Sequence, residues 1–296
     1  MLPEPYEDSR RLTGSNLYFD GTGAALESAP GLRLDEGTLA AWKRNVQAAR
    51  AALAWPEDGI VLRRHRSGVS LAFNAPADQL YAATEVNEWA WWSALASPPA
   101  AQVGGDEENG APVPYHAPGH AAVWDGESAL HTLRAVAQAE ARPALIALMQ
   151  AADARHLPFL ADDDEVSIGE GQGSRSWFVD ELPAPEQVPW ALLHAIPTAL
   201  VTGSNGKTTT VRLLAAMCKA HGWRTAHSCT DGVYFDGQPL EAGDFSGPTG
   251  ARTALRQSAA QAAILETARG GMLRRGLALA HADAAIVTNI AADHFG

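Results

Sequence analysis

Val201-Thr-Gly-Ser-Asn-Gly-Lys-Thr-Thr-Thr210 gathers two glycines, a lysine and a run of threonines into ten residues, a composition suited to wrapping an anion. Gly203 and Gly206 let the backbone turn sharply enough for successive amides to face one charge, and a helix starting near Lys207 adds its positive end. Lys207 is then placed to hold the β- and γ-phosphate oxygens of a nucleotide, and the Thr208 hydroxyl to ligate Mg²⁺. Ser204, Asn205 and Thr209 complete the candidate nucleotide-binding set. The strict phosphate-loop pattern G-x-x-x-x-G-K-[ST] needs glycine at position 201, where this chain has Val201. That departure moves the common GTPase and kinase classes out of first place.

Two further charged residues follow an apolar run, Ala262-Ala-Ile-Leu-Glu266. A carboxylate ending a buried strand, as Glu266 does, can ligate Mg²⁺ or position an amine. Arg269, in an expected Gly270-Gly271 turn, can clamp a carboxylate or phosphate with both arms of its guanidinium. Other patterns carry less. His116 and His120 have the spacing of a helical metal pair, but Pro118 and Gly119 intervene and forbid the helix that the spacing assumes. Gly169-Glu-Gly-Gln-Gly173 has no preceding strand in register and reads as a turn. Trp89, Trp91 and Trp92 read as core or interface. Cys218 and Cys229 are too few for a disulfide framework and read as reduced packing residues.

The elements that position these groups can be read from periodicity and punctuation. Thr198–Thr202 is a short apolar strand before the loop, Gly206–His221 a helix closed by Gly222, and Arg224–Ser228 a strand. Val233–Leu240 is a hairpin on its Asp236-Gly237 turn, and a helix over Thr249–Ala259 precedes the strands Ala262–Glu266 and Ala284–Asn289. Apolar strands alternating with helices imply an α/β fold, a parallel sheet covered on both faces, with ligands at the carboxyl ends of its strands. Upstream, helices are expected over Glu36–Ala54, Tyr81–Ala96 and Glu127–Ala154, the last interrupted near Pro143, with strands at Gly59–Arg64 and Ser70–Phe73. Three prolines in Glu181–Pro189 mark a boundary between a mixed α+β domain, 1–190, and a nucleotide-binding domain, 191–296. The Pro-, Gly- and Ala-rich stretch Ser97–Gly119 reads as a long loop.

Composition sets the outer limits. The 296 residues, 46% hydrophobic and 19% charged, suffice for a sizeable core and roughly two domains. No apolar run approaches the ~18–20 residues of a bilayer crossing, and the amino terminus lacks a basic start followed by an apolar stretch, so a cytoplasmic address is expected. A formal charge of −12 argues against nucleic-acid and anionic-membrane partners, since phosphate backbones are met by surplus lysine and arginine. The sequence is compatible with a homo-oligomer.

Four segments follow the loop in order: Cys229-Thr-Asp-Gly-Val-Tyr-Phe-Asp-Gly237, Gly243-Asp-Phe-Ser-Gly-Pro248, Glu266-Thr-Ala-Arg-Gly-Gly-Met-Leu-Arg274 and Val287-Thr-Asn-Ile-Ala-Ala-Asp-His294. With the T-G-S-N-G-K-T-T loop, they resemble the central ATP-binding domain of the Mur ligase family, in its cyanophycin synthetase form, across residues 196–296. The resemblance implies a phosphate-loop parallel sheet with helices on both faces, of which this chain would hold the amino-terminal portion. It also implies that Asn289 contacts the nucleotide, that His294 completes the metal shell, and that Thr230 and Asp231 belong to a loop facing substrate. Lys207, Glu266 and His294 become the catalytic set; Thr208, Glu266 and His294 become the Mg²⁺ ligands. Arg11–Asn16 and Asp164–Gly173 are faintly similar to the same family, but too few residues separate Gly173 from Ile196 for an ATP-grasp domain. The implied reaction joins a small-molecule or peptide carboxylate to an amino-acid or peptide amine through an acyl-phosphate, with ATP and Mg²⁺; residues 1–296 alone are expected to bind ATP weakly and to form no amide. A phosphotransferase using the same loop and a non-catalytic nucleotide-binding module stand as alternatives.

Overall fold

The computed structural model describes residues 5–32, 34–96 and 114–291. The expected loop at Ser97–Gly119 lies mostly outside these residues, as do Asp293 and His294. By contact the chain forms two compact units, Met1–Leu12 with Gly21–Ala141, and Thr13–Asp20 with Arg142–Gly296.

In the first unit, β1 (Tyr6–Thr13) and β2 (Thr22–Ser28) precede α1 (Glu36–Leu53). The hairpin β3 (Ile60–His65) and β4 (Gly68–Asn74) comes next, then α2 (Leu80–Ala96) and α3 (Gly126–Glu140). The four strands form one sheet in the order β1-β2-β4-β3. Asp35 caps α1 by accepting from the Thr38 amide at 2.7 Å, which satisfies one of the free N–H groups of the first turn. The α2 tryptophans are core: Trp91 is fully buried and Trp89 nearly so. Trp91 Nε1 donates to Pro5 O at 2.9 Å, the partner a buried indole N–H requires. On α2, Glu85 Oε2 accepts from the Tyr115 hydroxyl at 3.1 Å and Glu88 Oε2 from the Tyr6 hydroxyl at 3.0 Å.

The second unit opens with α4 (Pro143–Asp153), whose Pro143 sits at the first helical position, where its missing N–H costs nothing. A small antiparallel sheet follows, β5 (Phe159–Ala161), β6 (Glu165–Ile168) and β7 (Arg175–Phe178). Residues 142–190, which composition grouped with the amino-terminal half, therefore pack in the second unit. Arg256 Nη1 meets the Asp162 and Glu165 carboxylates, and its Nε donates to Ser167 Oγ at 3.1 Å; the Gln172 amide donates to Ala260 O at 2.8 Å.

The main sheet comprises β8 (Thr198–Thr202), β9 (Thr225–Cys229), β10 (Gly232–Phe235), β11 (Gln238–Ala242), β12 (Ala262–Glu266) and β13 (Ala284–Val287). Their order is β11-β10-β9-β12-β8-β13. Strands β9, β12, β8 and β13 are parallel, whereas β10 and β11 are antiparallel additions. The sheet is thus mixed where a parallel one was expected. The physical reason is the short connection at Thr230–Asp231, which reverses the chain and pairs β10 with β9. The Asp236-Gly237 turn, with both φ values positive, then folds β11 back. Alternation sorts β12 onto two layers. Ile264 packs with Val211, Leu214 and Cys218 of α5 (Lys207–Ala220). Ala263 and Leu265 pack with Ala251, Ala254 and Leu255 of α6 (Pro248–Leu255). Cys218 and Cys229 are free thiols within these layers. Gly270 and Gly271, expected in a turn, lie in a short helix, α7 (Arg269–Arg275), closed by backbone bonds from the Met272 amide to Ala268 O at 3.1 Å and from the Gly276 amide to Met272 O at 3.0 Å. Among the described residues no helix is long and apolar enough to cross a membrane.

Candidate functional site

Because β8, β9, β12 and β13 run parallel, their carboxyl ends share one edge, and the chain that follows each strand converges there. After β8 comes the loop 203–206, after β9 Thr230, after β12 Thr267, and after β13 Thr288 and Asn289. Strand β12 is buried throughout, and its last residue, Glu266, is only 1% exposed. A carboxylate so far from water needs partners. It has three: Thr208 Oγ1 donates to Oε2 at 2.8 Å, Thr230 Oγ1 to Oε1 at 2.8 Å, and the Thr230 amide to Oε2 at 3.3 Å. The two threonine hydroxyls are 3.3 Å apart. Three hard oxygen groups from three different elements thus meet at the mouth of the loop.

The loop is held from β13. Asn289 pairs with Asn205 in both directions, Oδ1 accepting from the Asn205 amide at 2.9 Å and Nδ2 donating to Asn205 O at 3.2 Å. The Ser204 amide donates to Asn289 O at 3.0 Å, and Ser204 Oγ accepts from the Ala291 amide at 2.9 Å. Thr288 Oγ1 donates to Asn205 O at 2.6 Å. Gly203 (φ 133°) leaves no room for a side chain, because a Cβ there would stand 2.2 Å from Thr288 Oγ1 and 2.8 Å from Asn289 O. Gly206, in the left-handed region at φ 82°, is the N-cap of α5 and offers no side-chain cap. The first amides of α5 are therefore left to point outward over the loop.

Lys207 Nζ donates to Gly203 O at 2.9 Å and Ser204 O at 3.1 Å, lying along the loop it would serve. Thr209 is exposed in the same turn. Asp231 pairs with Arg212, one turn further along α5 than Thr208, and that carboxylate holds the guanidinium's pKa above its usual value. Behind them His227 stacks on Tyr234 at 4.8 Å; burial, with Arg212 nearby, pushes the imidazole down to about 4, so it is neutral at physiological pH. Arg269 is exposed at the start of α7, whose entry is tied to the site by the Thr267 amide on Val201 O at 2.8 Å. Phe245 donates its amide to Cys229 O at 3.1 Å, which brings the segment 243–248 beside β9.

The structure therefore assembles Gly203, Ser204, Asn205, Gly206, Lys207, Thr208, Thr230, Glu266 and Asn289 at one edge. It gives Asp231 to Arg212 and leaves Thr209 and Arg269 exposed, with His294 outside the described residues. Sequence reasoning did not single out Thr288 or Arg212. The signal for Thr288 was its place directly after an apolar strand and before Asn289; Arg212 has none short of its proximity to Asp231 in space.

Part of the chain has recognisable relatives. Residues 201–296 match the family described as Mur ligase middle domain. Cyanophycin synthetases from Synechocystis sp. and Trichormus variabilis are each 48% identical over 101 residues, 34% of this chain and 12% and 11% of theirs. A UDP-N-acetylmuramoyl-L-alanyl-D-glutamate--2,6-diaminopimelate ligase from Xanthomonas oryzae pv. oryzae is 36% identical over 105 residues, 34% of this chain and 21% of its own. The similarity thus spans about a third of the chain and between a ninth and a fifth of the length of these relatives. Residues 201–296 are thus similar to a Mur ligase middle domain, and to a stretch of about the same length in cyanophycin synthetases.

Proposed function

We propose that the chain serves an ATP-dependent ligase that joins a carboxylate to an amine, with residues 191–296 contributing its phosphate-loop ATP-binding site. The observation that supports this reading best is the buried Glu266 carboxylate, held by the Thr208 and Thr230 hydroxyls at the mouth of the loop. A phosphoryl-transfer centre needs a cation beside its phosphates, and oxygen donors of this type suit Mg²⁺. Thr208 and Glu266 would hold the metal, with His294 as a further ligand; when bound, Mg²⁺ would neutralise charge on the transferred phosphoryl group. The amides at the start of α5 would face phosphate oxygens, and Lys207 would exchange the Gly203 and Ser204 carbonyls for them. Asn289, Thr288 and Ser204 hold the loop in that shape through hydrogen bonds within the chain itself. Thr230, Asp231 and Arg269 would face the acyl and amine substrates.

Activation of a carboxylate as an acyl-phosphate, followed by amine attack and loss of phosphate, gives an amide and ADP. The experiment supplies ATP, Mg²⁺ and pairs of carboxylate and amine to the full-length protein and follows ADP and amide together. Release of ADP that needs both partners and yields an amide supports a ligase. ADP release that yields a stable phosphorylated product in the absence of amine would show a phosphotransferase instead.

A further inference from the structure

Alternation along β9 turns Thr225, His227 and Cys229 toward the face of the main sheet that α5 covers, and Tyr234 of β10 lies beside His227 on that face. The helix does not fill the whole of it. Between Ala215 and Ala216 of α5 and the Tyr234 ring lies a concavity of about 340 Å³, left open because neither alanine carries a side chain long enough to close it. Charges mark its ends. Arg212 and Lys219 stand two turns apart on one face of α5, about 10 Å along the axis. Arg212 pairs with Asp231; Lys219 Nζ donates to Asp236 O at 2.9 Å and lies 3.5 Å from Asp236 Oδ1.

His227 lines this concavity and is only 7% exposed. Its Nδ1 is buried with no hydrogen-bond partner among the described residues. A neutral imidazole carries one donor and one acceptor, and burying such groups unmet costs free energy that a bound molecule can return. The ring is held by packing alone, stacked on Tyr234 with 6° between the planes. Burial keeps it neutral, so the charge that would select a ligand comes from the rim. There the lining groups are two cations, Arg212 and Lys219, against one carboxylate, Asp236. Both ion pairs are about half exposed, so each holds its partner weakly. Each cation also has more N–H groups than its partner takes up. A carboxylate entering the concavity therefore meets donors ready to share.

We propose that this concavity binds a small planar organic anion, with its ring against Ala215, Ala216 and Tyr234, a polar group on the His227 imidazole and its carboxylate on Lys219. The aromatic wall favours a flat body, the carboxylate gains a charge-assisted hydrogen bond, and the imidazole gains a partner it lacks. A neutral molecule of the same shape loses the charged contact, and a cationic one meets Arg212 and Lys219 as like charges. The site lies on the α5 face of β9 and β10, apart from the carboxyl edge where Glu266 and the phosphate loop meet.

The test titrates the full-length protein with 4-hydroxybenzoate, using 4-hydroxybenzamide as the neutral and 4-hydroxybenzamidine as the cationic control, and follows amide NMR shifts and the dissociation constant. The expected result is saturable binding of the benzoate, with shifts at residues 212–219, 225–227 and 234–237. The amide and the amidine should each bind at least five-fold more weakly. Binding of the benzoate should persist in Lys207→Ala, which separates this site from the phosphate loop. Lys219→Gln, at an exposed position, should weaken the benzoate at least five-fold, and so should His227→Phe, which keeps a ring and removes both nitrogens. Because the buried His227 change can disturb folding, Ala216→Trp, at an exposed position lining the concavity, provides an independent block. Absence of saturable binding, equal binding of benzoate and amide, shifts confined to residues 203–209 and lost in Lys207→Ala, or parent-like affinity in Ala216→Trp and in a folded His227→Phe would each overturn the proposal.

Discussion

Replacing Glu266 by glutamine keeps the side-chain shape and removes its charge, and the structure fixes what should follow. Each of the two threonine hydroxyls at 2.8 Å loses a charged acceptor for a neutral one, a difference of about 1 kcal/mol per bond. Removing a charge that is 1% exposed returns a desolvation cost of comparable size. The two effects oppose one another, so the fold should be nearly as stable as the parent, within about 1–2 kcal/mol. The metal site has no such compensation, because the amide oxygen that replaces the carboxylate brings no charge to Mg²⁺. The concentration of Mg²⁺ needed for half-maximal nucleotide turnover should rise at least ten-fold, equivalent to about 1.4 kcal/mol, while ATP affinity changes less. Any loss of rate should appear in kcat. The assay pairs a Mg²⁺ titration at saturating ATP with a thermal melt of each protein. Superimposable Mg²⁺ titrations for variant and parent, with both proteins folded, would refute the placement of Glu266 at the metal.

Three further outcomes are expected. Lys207→Ala should abolish nucleotide-dependent activity and leave the melting temperature within a few degrees, since among the described residues Nζ donates to the Gly203 and Ser204 carbonyls and to no other group; parent-like turnover would contradict the phosphate-loop reading. Gly203→Ala should destabilise the second unit by at least about 1–3 kcal/mol, measured by urea unfolding, because its Cβ would stand 2.2 Å from Thr288 Oγ1; unchanged stability would mean that the loop is not held against β13. Burial and the neighbouring Glu88 raise the Glu85 carboxyl to about 7, so its contribution to stability is complete below the ordinary carboxylate range and is lost as pH rises through about 7. Glu85→Gln should remove up to about 3 kcal/mol of that pH-dependent change in stability, read from tryptophan-monitored unfolding between pH 5 and 8, and equal pH dependence in variant and parent would contradict the shift.

The site was legible because its signals are local. A loop of the form at Val201–Thr210 needs only its own glycines and lysine to be read, and the apolar run ending in Glu266 announces a buried strand whose last residue meets the loop. The strands β8 and β12 accordingly appear at their expected bounds, and α1, α2 and α5 within a residue or so. Long-range pairing was not legible. Strands β1 and β2 carry charged and small residues, Tyr6–Thr13 and Thr22–Ser28, whose strand character comes from partners rather than alternation. The same holds for β5 to β7, each of three or four residues. Prolines at 183, 185 and 189 mark an irregular stretch correctly, but a stretch without regular structure need not separate two bodies; here Val188 and Leu193 pack with Leu148 and Ile168. Asn289 was singled out by family resemblance as a nucleotide contact; that it also bonds to the loop backbone is a feature only the fold reveals. Glu170 sat in a segment read as a turn, and nothing in its neighbours foretold a carboxylate buried against Thr198.

The most direct test of the central reading is ATP binding to the full-length protein, measured by NMR shift mapping with and without Mg²⁺ in the parent and in Lys207→Ala. Shifts are expected at residues 203–209, 230 and 266 that strengthen with Mg²⁺ and vanish in the variant. Shifts that ignore both Mg²⁺ and Lys207, or that fall away from the carboxyl edge of the main sheet, would contradict it.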